Sequence, residues 1–285
     1  MLTDLDIYLF DLRGYLVLEN AVSADEVGAL NACVDGMLPL HPGDWYGYVH
    51  ARGQGGEHGL ELQQIYEAGD PFEGLIDHPS WLEKVKYFVG GEGTFDFFHG
   101  PLFIDENFVN IRGAGGAIPL HSGASDGVKR TQFRYNAGHF MCGQINILVA
   151  LTHIGHGDGA TMVVPGSHKA NFPHPDSEKH RNQGGVSSLD NLVGAVEVHL
   201  NAGDAILFVD ALAHGSARRV SAGDRRIIVY RYGPSWGNFR HGYHCSEELL
   251  ARLTPERRKI VQPQEVVLHD VGKQRKRPIS NAGGH

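Results

Sequence analysis

The chain has 285 residues, 41% of them hydrophobic, with a formal charge of −8. That length and apolar content suffice for one large core, and the acidic balance gives no footing for nucleic acid or an anionic membrane surface. Cys33, Cys142 and Cys245 are far apart and odd in number, which excludes a disulfide framework and fits a reducing compartment. The N-terminus is acidic without a signal-peptide pattern and no apolar run reaches membrane-spanning length, so a cytoplasmic protein is expected.

Residues 3–13 are predicted to form a short helix, followed by a strand over Gly14–Glu19. Ser23 and Glu26 make a capping box, and the helix they open sets Val27, Leu30, Cys33, Val34 and Met37 at helical spacing. Residues 41–60, rich in Gly, His and aromatics, read as a long loop of the kind that forms lids. Pro79-Ser80-Trp81 opens a further helix through about Val89, stopped by Gly90-Gly91. From residue 94 the pattern turns to β. Phe95–Phe98, Phe108–Arg112, Gln144–Leu151, Val196–Leu200, Ala205–Val209 and Arg226–Tyr232 read as strands, and Ala160–Val164 as the strand returning from the Gly155–Gly159 turn. Residues 124–139 and 170–195 are polar excursions, and the basic run Lys273–Arg277 reads as a solvated tail. The economical architecture is a single, mainly β domain with N-terminal helices packed on its outside. Its parts are a helical region over about 1–93, a β core over about 94–235 and a C-terminal extension over 236–285.

Two short stretches carry chemistry. Pro119-Leu120-His121-Ser122-Gly123 and Ala213-His214-Gly215-Ser216 each place a histidine beside a strand-like run, and Arg225 follows the second. Two histidines and one carboxylate on one face of the metal make a non-haem iron site. The position two after His121, where the carboxylate is expected, is Gly123. Together with Asp158-Gly159, Val164-Pro165-Gly166-Ser167-His168-Lys169 and Gly203-Asp204, these residues resemble the phytanoyl-CoA dioxygenase family of Fe(II)/2-oxoglutarate-dependent oxygenases. The resemblance covers roughly residues 5–235.

The resemblance implies a double-stranded β-helix (a cupin-like jelly roll), with Fe(II), 2-oxoglutarate and O2 as the reacting partners of a small-molecule substrate. His121 and His214 would ligate the iron. Arg225 would pair with the distal carboxylate of 2-oxoglutarate, helped by Ser216, because a guanidinium fork matches a carboxylate. Arg226 is its rival, since a one-residue shift flips a strand's face. Tyr135, Gln144 and Asn146 are candidates for the pocket wall. Asp126 is a candidate for a relocated third ligand, while Asp158 reads as a turn residue and His168 as structural. Gly123 is similar to the small residue by which halogenases of this superfamily open a coordination position for chloride or bromide, and the expectation leans slightly to halogenation over hydroxylation. A catalytically silent ligand-binding jelly roll is the alternative from another class. A zinc hydrolase ranks last, for want of a general base and a third ligand. Substrate identity and oligomeric state are not readable.

Overall fold

In a computed structural model, which describes residues 1–53, 59–90, 100–124, 131–181, 188–235 and 244–262, the chain opens with two helices set by reciprocal caps. Thr3 and Asp6 cap α1 (Asp4–Arg13). After β1 (Tyr15–Leu18), Ser23 and Glu26 cap α2 (Ala24–Met37), each box satisfying two backbone donors. The order then runs β2 (Trp45–Tyr46), β3 (Val49–Gly53), β4 (Leu60–Gln63), α3 (Asp70–Glu73), α4 (Leu82–Val89), β5 (Leu102–Arg112), β6 (Tyr135–Asn136), β7 (His139–Phe140), β8 (Ile145–Ala150) and β9 (Thr161–Val163). It closes with α5 (Ser177–Arg181), β10 (Val196–Val198), β11 (Ala205–Val209), β12 (His214–Ser216), β13 (Arg225–Pro234), α6 (Glu247–Arg252) and α7 (Pro255–Val261). Phe95–Phe98, Asp126 and Lys273–Arg277 lie outside the described residues. Among the described residues no helix is long and apolar enough to cross a membrane.

The fold is the expected jelly roll. A large antiparallel sheet, in the order β1-β11-β8-β13-β5-β4-β3-β2, packs against a smaller one, β10-β9-β12. Two expectations change. Residues 41–60 are not one long loop, because β2, β3 and the start of β4 extend the large sheet beyond β5. Val49 and Ala51 are buried at alternate positions of β3, so a period-2 signal was present under the Gly- and His-rich composition. Besides its helices, the region over about 1–93 furnishes β1 to β4 of the large sheet. The second change concerns β8, which does not form a hairpin with β9. It lies between β11 and β13, while β9 crosses to the small sheet.

Strand β13 shows how the sheet serves two faces. Arg225, Ile227, Val229 and Arg231 line a cavity between the sheets, as alternation along a strand requires. From the opposite face, Tyr230 donates to Phe72 O, and Tyr232 to Leu75 O and Ile76 O, while Trp81 Nε1 donates to the Tyr232 hydroxyl. All three rings are fully buried, so the segment carrying α3 and the start of α4 seals that face with its polar atoms satisfied.

The Pro165–Lys169 run ties the small sheet to α1. His168 Nε2–H donates to Asp11 O at 3.1 Å and its ring meets Phe133 edge-on. Gly14, at φ +83°, lies against it; a Cβ there would stand 2.5 Å from His168 Nδ1. Burial pushes the His168 imidazole down to about 4 from 6.5. As pH falls below 6.5 the unfolded chain takes the proton first, so stability present above pH 6.5 is lost on the way to pH 4, by roughly 1–3 kcal/mol. His168→Gln should flatten this part of the pH profile of the urea midpoint. An unchanged slope between pH 6.5 and 4 would remove His168 as its source.

Candidate active site

The cavity between the sheets holds about 510 Å3. The large sheet gives it Glu61 from β4, Phe108 and Asn110 from β5, Asn146 and Leu148 from β8, and one face of β13. The other wall carries Thr161, His214 and His121.

His121 and His214 are locked together by the backbone. Each N–H donates to the other's carbonyl at 2.9 Å, forming a single antiparallel bridge. Their ring centroids lie 4.0 Å apart. Each Nδ1 meets the carbonyl two residues back in its own segment: His121 on Pro119 O at 2.9 Å and His214 on Leu212 O at 2.7 Å. A carbonyl only accepts, so Nδ1 carries the proton and Nε2 keeps its lone pair. Burial, then the neighbouring His121, holds the His214 imidazole below its ordinary range. That favours the neutral ring a metal requires.

Another part of the wall carries Arg225, on which two further arginines act. Arg225 is buried and donates to Asn110 Oδ1 at 3.3 Å, while its Nε has no protein partner. Burial, then Arg112 and Arg219, depresses its pKa strongly; the charges acting on it are of its own sign. Arg112 is its Cα partner across β5–β13 and donates to Ser216 Oγ at 3.0 Å and Gly159 O at 2.7 Å. Its guanidinium is pushed down to about 10 by burial and then by Arg219. A buried guanidinium with an unpartnered Nε beside like charges is costly until an anion arrives. Arg225 thus fits the distal carboxylate of 2-oxoglutarate, as the paired Nε2 lone pairs fit a metal ion.

The geometry sorts the remaining candidates. Arg226 points to the opposite face, bonded to Asn31 Oδ1 at 3.1 Å and paired with Asp35 at 2.7 Å. Ser216 Oγ accepts from Arg112 and from Ile118 N–H, which makes it a brace for Arg112. Asn146 lines the cavity, and Gln144 stands beside it, donating to Asn146 Oδ1 at 3.1 Å. Tyr135 is placed elsewhere. It is 55% exposed and packs on Phe140, because the β6–β7 hairpin folds onto the aromatic cluster around Phe10 and Phe88. Asp158 ties its own turn by accepting from Gly155 N–H and pairing with Arg219.

The space beside Gly123 is filled. A Cβ built there would overlap Asp210 Oδ2 and come within 2.7 Å of Asp210 Cγ and Thr131 Oγ1. Gly123 N–H donates to Asp210 O at 2.8 Å, and Thr131 Oγ1 donates to Gly123 O. Three residues at or beside the cavity escaped the sequence reading: Asn110, Arg112 and Asp210. The first two carried a signal, since Asn110 and Arg112 stand at alternate positions among the apolar Phe108, Val109 and Ile111 at the end of β5.

Known proteins share the sequence pattern and the fold. The profile of the family described as phytanoyl-CoA dioxygenase (PhyH) matches residues 10–227. Dioxygenase cdmD of Talaromyces verruculosus is 30% identical over 252 residues, covering 87% of this chain and 72% of that protein. The structure of HygX from Streptomyces hygroscopicus with nickel and 2-oxoglutarate bound gives a TM-score of 0.68 at 25% identity, over 87% of this chain and 94% of the other. The epimerase SnoN, solved with Fe3+ and α-ketoglutarate, shares the fold at a TM-score of 0.56 and 17% identity, over 80% and 82% of the two chains.

Proposed function

The chain belongs to the phytanoyl-CoA dioxygenase family of Fe(II)/2-oxoglutarate-dependent enzymes, and from that membership we propose that it oxygenates a C–H bond of a small metabolite, releasing succinate and CO2. The observation that carries the reading is Arg225. It is a buried cation with an unpartnered Nε, among other arginines, in the same cavity as two histidines whose tautomers leave Nε2 unprotonated.

In this reading His121 and His214 hold Fe(II) through Nε2, and Arg225 takes the distal carboxylate of 2-oxoglutarate. Bound there, the iron, the keto acid and O2 supply an oxidant strong enough for an unactivated C–H bond. Arg112 cannot swing away, because Ser216 and Gly159 hold two of its nitrogens, so the positive end of the cavity is preorganised for a dianion. Phe108, Leu148, Ile227 and Val229 supply an apolar wall that limits water around the reacting carbon. Glu61 and Arg231 add polar groups to the lining, which suits a substrate with hydrogen-bonding substituents.

Halogenation, to which Gly123 leans in the sequence, needs an open position beside the metal. The Asp210 carboxylate, which lies where a side chain at position 123 would be, supports oxygenation instead. Protein reconstituted anaerobically with Fe(II) and 2-oxoglutarate should, on exposure to O2, form one succinate for each 2-oxoglutarate consumed, and none without Fe(II). Iron-loaded protein that forms no succinate would return the chain to the ligand-binding jelly rolls. The same reaction run with bromide over a panel of small metabolites checks the other branch: a brominated product by mass spectrometry would restore halogenation.

A further inference from the structure

Resting on that reading of the centre, we propose that Asp210 supplies the carboxylate that Gly123 lacks. The third protein ligand then comes from the residue after β11, not from the position two after His121. The backbone fixes the two segments against each other through the His121–His214 bridge and the bond from Gly123 N–H to Asp210 O at 2.8 Å. This register sends the Asp210 side chain into the space that a side chain at 123 would occupy. Asp210 is buried, and Asn146 Nδ2 donates to its Oδ1 at 2.8 Å while Oδ2 lies toward position 123. A buried carboxylate is retained where a positive charge offsets its desolvation, and a metal held by two neutral histidines would provide that charge. The assignment also explains why position 123 is glycine rather than any small residue: even a methyl group would collide with Asp210.

Among the described residues the trio that brings three ligand atoms within 4.8 Å of one another is a different one, His156, Glu197 and His199. Asp210 must therefore turn about its side-chain torsions to meet a metal held by His121 and His214. His156 and His199 are exposed, so that surface trio would also take up metal in a titration. The test accordingly starts from a Glu197→Gln/His199→Gln parent.

Co(II) is titrated into the folded protein, with affinity read by calorimetry and coordination by the visible spectrum of the bound ion. Asp210→Asn keeps the size and an acceptor for Asn146, and should weaken Co(II) at least about tenfold. Gly123→Ala should do the same by displacing Asp210, although a simple vacancy beside the metal would tolerate a methyl group. The exchange Gly123→Asp/Asp210→Gly moves the carboxylate to the other backbone and should recover the affinity lost in Asp210→Asn. Parent-like binding by Asp210→Asn, with binding lost in His214→Ala, would overturn this ligand and leave the proposed centre intact. A folded exchange variant no tighter than Asp210→Asn would also overturn it, leaving Asp210 a structural role only. A parent that binds no Co(II) would overturn both.

Discussion

In the Glu197→Gln/His199→Gln parent, alanine at His214 should lower affinity for Fe(II) or Co(II) by at least about 100-fold, since the loss of a direct ligand exceeds the 10–100-fold typical of its supporting partners, while the fold stands. The side chain is buried against Phe208, with ring centroids 4.7 Å apart, and already borders the cavity. Removing it therefore enlarges an existing space and does not open a void inside the packed core, so the cost to stability is small. The backbone bridge to His121 needs no side chain and should persist. Two readouts separate ligand loss from disorder: metal content after reconstitution, and partial recovery of Co(II) binding on adding free imidazole, which fits the vacated position. A His214→Ala protein that retains normal iron would take His214 out of the ligand set and remove the basis for the proposed reaction.

Local signals in the sequence carried over well. The capping box at Ser23 and Glu26 opens α2 as its hydrogen-bond pattern demands, and the alternating and apolar runs around β1, β5, β8, β11 and β13 became strands. What depends on register or on packing between distant segments was not legible. Arg225 and Arg226 are adjacent, and composition cannot say which faces inward; pairing of β13 with β5 and β8 decides it. Asp210 gives no signal in the sequence, because its relation to Gly123 exists only once the two segments are side by side. The glycine read as an absence of a side chain was one half of a close contact. Residues 45–63 hid three strands because glycine, histidine and aromatics there dilute the alternation. Their edge position on the large sheet, next to β5, was not recoverable from local pattern.

Replacing Arg225 should separate binding from stability more sharply than any other change. Arg225→Met should raise the 2-oxoglutarate requirement by about 100-fold or more, as loss of a buried charge-assisted pair costs about 2–5 kcal/mol, and leave Co(II) affinity close to that of the parent. The same variant should be at least as stable as the parent when 2-oxoglutarate is absent. In that state the guanidinium is buried, its Nε has no partner, and Arg112 and Arg219 act on it with like charge. An unbranched apolar chain of similar length removes this cost. In the parent, 2-oxoglutarate added with metal should raise the melting temperature, because a ligand that binds only the folded state stabilises it; in Arg225→Met that rise should vanish. Arg226→Met is the control. It breaks the contacts with Asn31 and Asp35 on the opposite face of β13, and so should lower stability while leaving the 2-oxoglutarate response in place. If the two variants exchanged these behaviours, the cosubstrate would bind on the other face of the strand. A drop in stability for Arg225→Met without cosubstrate would mean that the guanidinium is a structural group and not a waiting anion site.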